Sequence, residues 1–271
     1  MSEIQGIILG IIQGVLEWLP VSSQGNLTII MIGIFNTSVE VAARFSVALH
    51  AGTLMAAVVY FRREIIQTFK RMGKYRFGFE NEEDRLLSFL IVSTLLTGLV
   101  GYPIFIWIIS INPIQGEIFI ALIGIALVTT GLLQRFAKEK RQDYANNGGR
   151  MNLRDSILLG LVQGLAVIPG ISRSGITTSF LLLRGYGGND SLRLSFMMSI
   201  PAVLAAEVGI SGTTSFAGIS LLEAALGILF SFLVGLAAIH TLLRVASKIS
   251  FWKFTVVIGI LAMSPLLAYA L

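Results

Sequence analysis

A chain of 271 residues that is 55% hydrophobic and 13% charged, with a mean hydropathy of +0.82, is too apolar for a water-soluble domain of ordinary composition. It has no cysteine, which excludes disulfides, thiolate nucleophiles and cysteine-ligated metals. The net charge of +5 gathers in three stretches instead of spreading as a nucleic-acid footprint, so no nucleic-acid partner is expected.

Residues 3–19 read as an apolar helix that stops at Pro20, marginally short for a membrane span of about 20 residues. The next apolar piece, Leu27 to Phe35, is far too short to cross, and together the two predict a re-entrant helical hairpin with its tip at Val21 to Gly25. Irregular backbone at such depth is tolerated only where protein or a water-filled cavity surrounds it. The apolar N-terminus has no basic leader and runs into Trp18-Leu19-Pro20, so a cleaved signal peptide is not expected. Val41 to Phe61, Leu86 to Ile109 and Gln115 to Phe136 are the first three full spans. A polar segment from Lys138 to Arg150 then separates two halves.

The second half repeats the plan. Leu153 to Ile168 and Ile176 to Leu183 predict a second hairpin, Arg184 to Asp190 a turn, and Ser191 to Ile210, Ile219 to Leu243 and Phe254 to Leu271 three later spans. The repeat is visible in the residues: Gly10-Ile11-Ile12-Gln13-Gly14 returns as Gly160-Leu161-Val162-Gln163-Gly164, 150 positions on. Ser22, Gly25 and Thr28 likewise match Ser172, Gly175 and Thr178. One residue is then lost, and Arg44-Phe45-Ser46 falls on Arg193-Leu194-Ser195. Three full spans per half is an odd number, so the second half enters from the opposite side. The expected fold is therefore all-α, a polytopic membrane protein with an inverted-topology repeat, two re-entrant hairpins and about six full transmembrane helices. It forms one membrane domain, with repeat one over 1–136, a linker over 137–152 and repeat two over 153–271.

Charge sets the orientation. Arg62, Arg63, Lys70, Arg71, Lys74, Arg76 and Arg85 crowd one loop; Arg135, Lys138, Lys140, Arg141, Arg150 and Arg154 another; Arg244, Lys248 and Lys253 a third. Loops 108–116 and 209–218 have neither Lys nor Arg. By the positive-inside rule the basic loops are cytoplasmic, so the first hairpin dips from outside and the second from inside.

The two tips differ in chemistry. Where the first holds Glu17 and Ser23, the second holds Val167 and Arg173. An arginine at membrane depth must be paired or must hold an anion. Pro169-Gly170 stops one helix, and Ser172 or Ser174 can cap the next, whose free N–H groups and dipole complete a small anion pocket with phosphate as its expected ligand. Carbonyl-bonded arginine in a plain helix break is the bland alternative. Glu17 follows Gln13 by one turn on the same face. It could ligate a divalent cation with Gln13, act as a base, or pair with Arg173. Ser22 and Ser23 are candidate nucleophile and phosphate ligands, or only caps. His50, in the first span and one turn after Ser46, serves either chemistry or packing. Arg44 and Arg193 are expected to snorkel; Glu207 and Glu223, near external ends, are expected to be solvated.

Gln13-Gly14-Val15-Leu16-Glu17-Trp18-Leu19-Pro20-Val21-Ser22-Ser23, taken with Pro169-Gly170-Ile171-Ser172-Arg173-Ser174-Gly175, resembles the bacitracin-resistance family of undecaprenyl-diphosphate phosphatases, over essentially the whole chain. That resemblance implies hydrolysis of a polyprenyl diphosphate to the monophosphate on the outer face of the cell membrane, helped by a divalent cation, Mg or Ca. It puts Glu17 and Gln13 in the metal or acid–base position and Ser23, with Ser22, in the nucleophile region. Arg173, Ser172, Ser174, Gly175, Asn26 and Thr178 then bind phosphate. One departure stands out: the family usually has histidine where this chain has Asn26, which can hydrogen-bond but cannot shuttle a proton near neutrality. Glu17 or His50 would then supply acid–base catalysis. The partners expected are the lipid substrate, the bilayer and, as an open case, a second copy of the chain. The alternative function is transport or flipping of a polyprenyl phosphate or diphosphate.

Overall fold

Polar side chains start the helices. Ser2 caps α1 (Glu3–Leu16) in a reciprocal capping box with Gln5. Ser22 caps α2 (Ser23–Gly33), and Ser38 caps α3 (Val39–Tyr60). Asn152 caps α7 (Leu153–Gly164), and Ser172 caps α8 (Arg173–Leu183). Each supplies a side-chain oxygen to a backbone N–H that a helix start leaves without a partner. The computed structural model describes residues 2–110, 116–144, 150–211, 219–245 and 251–263. The remaining helices are α4 (Arg62–Met72), α5 (Glu82–Ser110), α6 (Gly116–Tyr144), α9 (Gly188–Ser211), α10 (Leu221–Val245) and α11 (Trp252–Ala262), with one 3₁₀ turn at Leu165–Val167. Among the described residues there is no strand.

α3, α5, α6, α9 and α10 contain stretches long and apolar enough to cross a membrane. Exposed Leu95, Leu99, Tyr102 and Trp107 on α5, and Leu229 and Leu233 on α10, give these helices the apolar outer faces that lipid requires. The sixth expected span is described only as α11, and the rest of Phe254 to Leu271 lies outside the described residues. α1 and α7, at 14 and 12 residues, rise about 21 and 18 Å, short of the ~30 Å of hydrocarbon. Both end at an interruption before a second short helix, as the sequence predicts.

Two findings differ from expectation. The first basic loop contains a helix, α4, with Ile66, Phe69 and Met72 exposed on it. The polar linker begins as helix: α6 continues through Lys138 to Tyr144, because Ala137 through Gln142 offers no breaker and Arg135 pairs with Glu139 one turn on, at 2.8 Å. The Asn146-Asn147-Gly148-Gly149 part of the linker lies outside the described residues.

Small residues set the packing. α1 lies against α10, where a Cβ added at Gly6 would come 2.8 Å from the Glu223 carbonyl oxygen. α7 lies against α5 in the same way, with a Cβ at Gly160 falling 2.6 Å from Ser93 O, and α6 meets α11 through Gly124 and Gly259. In a bilayer, where lipid is as apolar as leucine, such close approach supplies the packing and hydrogen-bond terms that hold helices together. Interhelical bonds follow: Ser231 Oγ donates to Leu49 O at 2.9 Å, and Thr97 Oγ1 to Gly160 O at 3.2 Å. Buried Leu9, Leu27, Phe45 and Leu49 fill the space around α1–α3. Trp18 and Phe196 meet edge-to-face at 5.1 Å nearer the centre.

The base of the second hairpin is clamped by polar groups. Buried Asp155 accepts from Arg184 Nε at 2.7 Å, Tyr186 OH at 3.2 Å and Asn152 Nδ2 at 3.0 Å. Burial, and then the Asp155 charge, push the Tyr186 phenol well above its usual pKa.

Candidate active site

The interruptions after α1 and after α7 bring the two tips together. Ser174 Oγ donates to Leu19 O at 2.9 Å, Gln134 Nε2 on α6 donates to Pro20 O, and Thr255 Oγ1 on α11 donates to the same carbonyl at 3.4 Å. Gly170, at φ +94°, makes the second turn, and a Cβ at Gly25 would stand 3.1 Å from Gly170 Cα. A Cβ at Gly170 would also fall 2.6 Å from Ile123 O on α6, so both its positive φ and its packing call for glycine. The carbonyls that Pro20 and Leu19 leave outside any helix thus gain donors from three other helices, as buried backbone must.

Glu17 sits at the junction. It caps the C-terminal end of α1, its N–H bonded to Gln13 O at 2.9 Å, and its side chain is only 7% exposed. Oε1 accepts from Arg173 Nη2 at 2.6 Å. Oε2 accepts from Ser23 Oγ at 2.7 Å and Gln13 Nε2 at 3.1 Å, and lies 3.2 Å from His50 Nε2. Arg173, the first residue of α8, also donates Nη1 to Ser195 O on α9 at 3.1 Å. His50 Nδ1 lies 2.6 Å from Ser46 O. Both ring nitrogens therefore face oxygen acceptors, the pattern of a ring that donates from each. A carboxylate, a guanidinium and an imidazole in one buried cluster hold one another in fixed geometry, which a site that must distinguish charge states requires.

Most of these groups border a cavity of about 430 Å³. The first tip gives it Glu17, Ser22, Ser23 and Gln24, and the second Ser172, Arg173 and Ser174. α3 adds Val47 and His50, α5 adds Thr94, Thr97, Gly98 and Tyr102, α7 adds Gln163, and α9 adds Ala202, Ala206 and Glu207. Charged, hydroxyl and amide groups share the lining with a larger apolar surface, a combination suited to an amphiphile with a charged head.

The expected phosphate and nucleophile residues divide into two sets. Ser22, Ser23, Ser172, Arg173 and Ser174 border the cavity. Ser22 does so from a left-handed backbone, φ 60°, while its Oγ accepts from Gly25 N at 3.3 Å. Such strain in a non-glycine residue costs about 1–3 kcal/mol and persists only where the surroundings over-determine it. Ser172 Oγ caps α8 by accepting from Gly175 N at 3.1 Å and lies 3.3 Å from Ser174 Oγ. Gly175, Asn26, Thr178 and Gln13 are buried and do not border the cavity. Gly175 packs on Gln134 and Thr130. Asn26 donates Nδ2 to Val21 O at 2.7 Å and Ser22 O at 2.9 Å, closing the tip on itself. Thr178 Oγ1 has no hydrogen-bond partner.

Of two acids expected in solvent, one is half-buried and the other buried. Glu207 borders the cavity, and Glu223 is buried, its Oε2 accepting from Ser220 N at 3.0 Å while Ser220 Oγ accepts from Glu223 N. The second is a capping box at the start of α10. Ser220 and Glu223, three apart before an apolar run, could have announced it. Arg193 reaches Glu64 of α4 at 2.8 Å, and Arg44 pairs with Glu40 one turn back.

Among the described residues no three His, Asp or Glu side chains converge as a metal cage. Gln13 turns its amide nitrogen to the Glu17 carboxylate, at 3.1 Å, and its Oε1 is a buried oxygen with no hydrogen-bond partner. The carboxylate is a hard donor that suits Mg²⁺ or Ca²⁺, with the other positions left to water or phosphate oxygens.

A family model described as bacitracin resistance protein BacA matches residues 6–264. The undecaprenyl-diphosphatase of Methanococcoides burtonii is 41% identical over 264 residues, 97% of each chain. That of Haloarcula marismortui is 38% identical over 260 residues, 93% of each chain, and that of Methanothrix thermoacetophila 34% over 264 residues, 97% of each.

Proposed function

The chain belongs to the BacA family, and from that premise we propose that it hydrolyses undecaprenyl-type polyprenyl diphosphate to the monophosphate and inorganic phosphate, recycling a lipid carrier of cell-envelope synthesis. One observation carries the assignment of roles: a single buried carboxylate, Glu17, accepts from the Ser23 hydroxyl and from Arg173 at the border of one cavity.

Ser23 is the nucleophile. Its Oγ–H already points at Glu17 Oε2, so Glu17 takes the proton as Oγ bonds to the terminal phosphorus. The bond from that phosphorus to the bridging oxygen breaks, and the lipid monophosphate leaves. Glu17 passes that proton to the oxygen of the departing lipid monophosphate. It then takes a proton from water as the water oxygen bonds to phosphorus and the Ser23 Oγ–P bond breaks, and it returns that proton to Ser23 Oγ, leaving inorganic phosphate. The Arg173 guanidinium, with the Ser172 hydroxyl, holds the terminal phosphoryl oxygens as charge develops on them, while Ser174, whose hydroxyl donates to Leu19 O, fixes the tip. His50 is the imidazole beside Glu17 and exchanges its proton. Asn26, occupied by tip carbonyls, takes no part in proton transfer. Were a divalent cation bound, Glu17 would be the side chain of the pair that reaches it from the cavity, with Gln13 steadying that carboxylate from behind, and the ion would supply charge neutralisation.

In the membrane, the arrangement is an inverted repeat whose two hairpins are re-entrant. α1 lies on α10 and α7 lies on α5, a reciprocal exchange between halves, and this supports the reading. Basic loops in the cytoplasm turn the catalytic mouth to the external face of the cell membrane. Transport without hydrolysis is the less favoured reading, because it gives the Ser23–Glu17 bond no task. Phosphate release from a polyprenyl diphosphate by the purified protein in detergent, with and without chelator, tests the assignment; binding without release, across metals and pH, would defeat it.

A further inference from the structure

No residue of α4 is buried, yet the helix is fixed in place. It begins where a span ends, because the buried Phe61 is both the C-terminal cap of α3 and the residue before α4. Its far end is tied to the start of α5. Arg71 Nε donates to Asp84 Oδ1 at 2.9 Å, and beyond Gly73 the chain folds back so that Gly78 N donates to Ser88 Oγ at 3.1 Å. Glu64 accepts from Arg193 Nη2 of α9 at 2.8 Å. Three of the apolar spans thus hold α4 at the level where α3 leaves the hydrocarbon.

The surface of α4 is divided lengthwise. Glu64 and Arg71, seven apart and so on one line of the helix, make two of those ties, and Ile65 packs on the cluster around Trp18 and Phe61. Ile66, Phe69 and Met72 recur every third residue, and each is half or more exposed. Arg63 and Lys70, also exposed, are seven apart and flank Ile66 at one turn before and one turn after. With Glu64 and Arg71 engaged inside the protein, the charges that α4 has left are all positive.

We infer that α4 is a membrane-surface helix that binds anionic lipid headgroups. Ile66, Phe69 and Met72 enter the boundary between headgroups and acyl chains, and Arg63 and Lys70, on the edge of that stripe, take the lipid phosphates. The inference does not depend on the diphosphatase reading. Met55, Val58 and Val59 are exposed on the last turns of α3, so the lipid-facing surface of the span runs up to α4 without a break in the chain. A second copy is a poor occupant for the same stripe. A two-fold contact there would set the cations of one copy beside those of the other, and a helix that rises only about 16 Å offers far less than the ~800 Å² per partner of a stable interface.

The test uses full-length protein in bilayers, with a bimane fluorophore on the single-cysteine variants Ile66→Cys, Phe69→Cys and Gln67→Cys; Gln67 is exposed off the stripe. Lipids brominated on the acyl chain should quench the label at 66 and 69, and aqueous iodide should not; at 67 the order should reverse. At 69, brominated phosphatidylglycerol should bind in preference to brominated phosphatidylcholine by about fivefold or more, the scale of one or two cations at a membrane surface. Adding Arg63→Gln and Lys70→Gln to Phe69→Cys should bring that preference to within about twofold of unity at an unchanged melting temperature, since both side chains are exposed. Iodide quenching at 66 and 69 equal to that at 67 would put α4 in water and overturn the inference. Shelter from both quenchers would mean that protein covers the stripe, and would overturn it equally. Quenching by lipid with no preference for phosphatidylglycerol, or with a preference that survives loss of both cations, would remove Arg63 and Lys70 from headgroup binding.

Discussion

Glu17 Oε1 and Arg173 Nη2 stand 2.6 Å apart although 156 residues separate them in the chain. Each is the only formal charge on its tip, since residues 18–25 and 165–172 contain none, and both are largely screened from solvent. A buried ion pair adds little net stability, but removing one member strands the other, at a cost of about 3–5 kcal/mol. The pair therefore serves both to join the hairpins and to set the site.

From that follows a stability pattern as well as a loss of rate. Glu17→Gln should abolish phosphate release and also lower thermal stability, because the amide leaves the Arg173 charge uncompensated. The double variant Glu17→Gln/Arg173→Gln should regain part of that stability while staying inactive. Thermal melts of the two proteins in detergent decide it; equal stability of wild type and Glu17→Gln would mean that the pair does not join the tips.

Arg173→Lys keeps the charge and loses the planar fork that spans Glu17 and Ser195 O. Turnover should fall by about 10²-fold or more, the scale of removing a donor aimed at developing charge. Steady-state kinetics on the folded variant would show it, and wild-type turnover would remove Arg173 from phosphate binding.

The strained backbone at Ser22 separates two serines that the sequence cannot. Ser23→Ala should stop turnover, since it removes the attacking oxygen. Ser22→Ala should lose about 1 kcal/mol of stability through the α2 cap, whereas Ser22→Gly should lose only a few tenths, because glycine suits a positive φ and tolerates the cap position. The order Gly above Ala in melting temperature is the expected readout.

Much of this was legible in the sequence because the relevant signals were local. The paired helix interruptions, the acidic and basic tips and the runs of apolar residues each lie within one segment, and five of the expected spans appear at the expected places. Other features depend on neighbours that no local pattern names. Asn26 looks like a spare phosphate ligand until the carbonyls of Val21 and Ser22 are seen to use its amide. Glu207 looks solvated because it comes late in α9, but the helix turns it to the cavity. α4 was readable and missed: Ile65, Ile66, Phe69 and Met72 recur at helical spacing among the arginines and lysines, and the positive-inside count treated that stretch as loop.

Orientation has its own test. In single-cysteine variants of a chain with no native cysteine, residues 62–85, 137–152 and 244–253 should be shielded from impermeant thiol reagents in intact cells. Residues 110–116 and 211–217 should react. Labelling of the basic stretches from outside would turn the catalytic mouth inward.

The departure at Asn26 yields the last prediction. If this position were merely a lost histidine, Asn26→His would restore a proton shuttle and raise activity. The tip argues against that. One amide nitrogen there donates both its hydrogens, to Val21 O at 2.7 Å and Ser22 O at 2.9 Å, and an imidazole nitrogen has only one hydrogen to give. Asn26→His should therefore unseat a tip carbonyl, lower stability by about 1–3 kcal/mol and slow turnover. His50 already stands 3.2 Å from Glu17 Oε2 and is held in orientation by Ser46 O. His50→Gln can still bond to Ser46 or Glu17 but cannot carry a proton near neutrality, so turnover should drop by about 10²-fold, the usual worth of a general acid or base, with diphosphate binding retained. A pH–rate profile decides between the two positions. Wild type should show an ionisation that His50→Gln lacks, and a His50→Gln protein with the wild-type profile would return the whole acid–base task to Glu17.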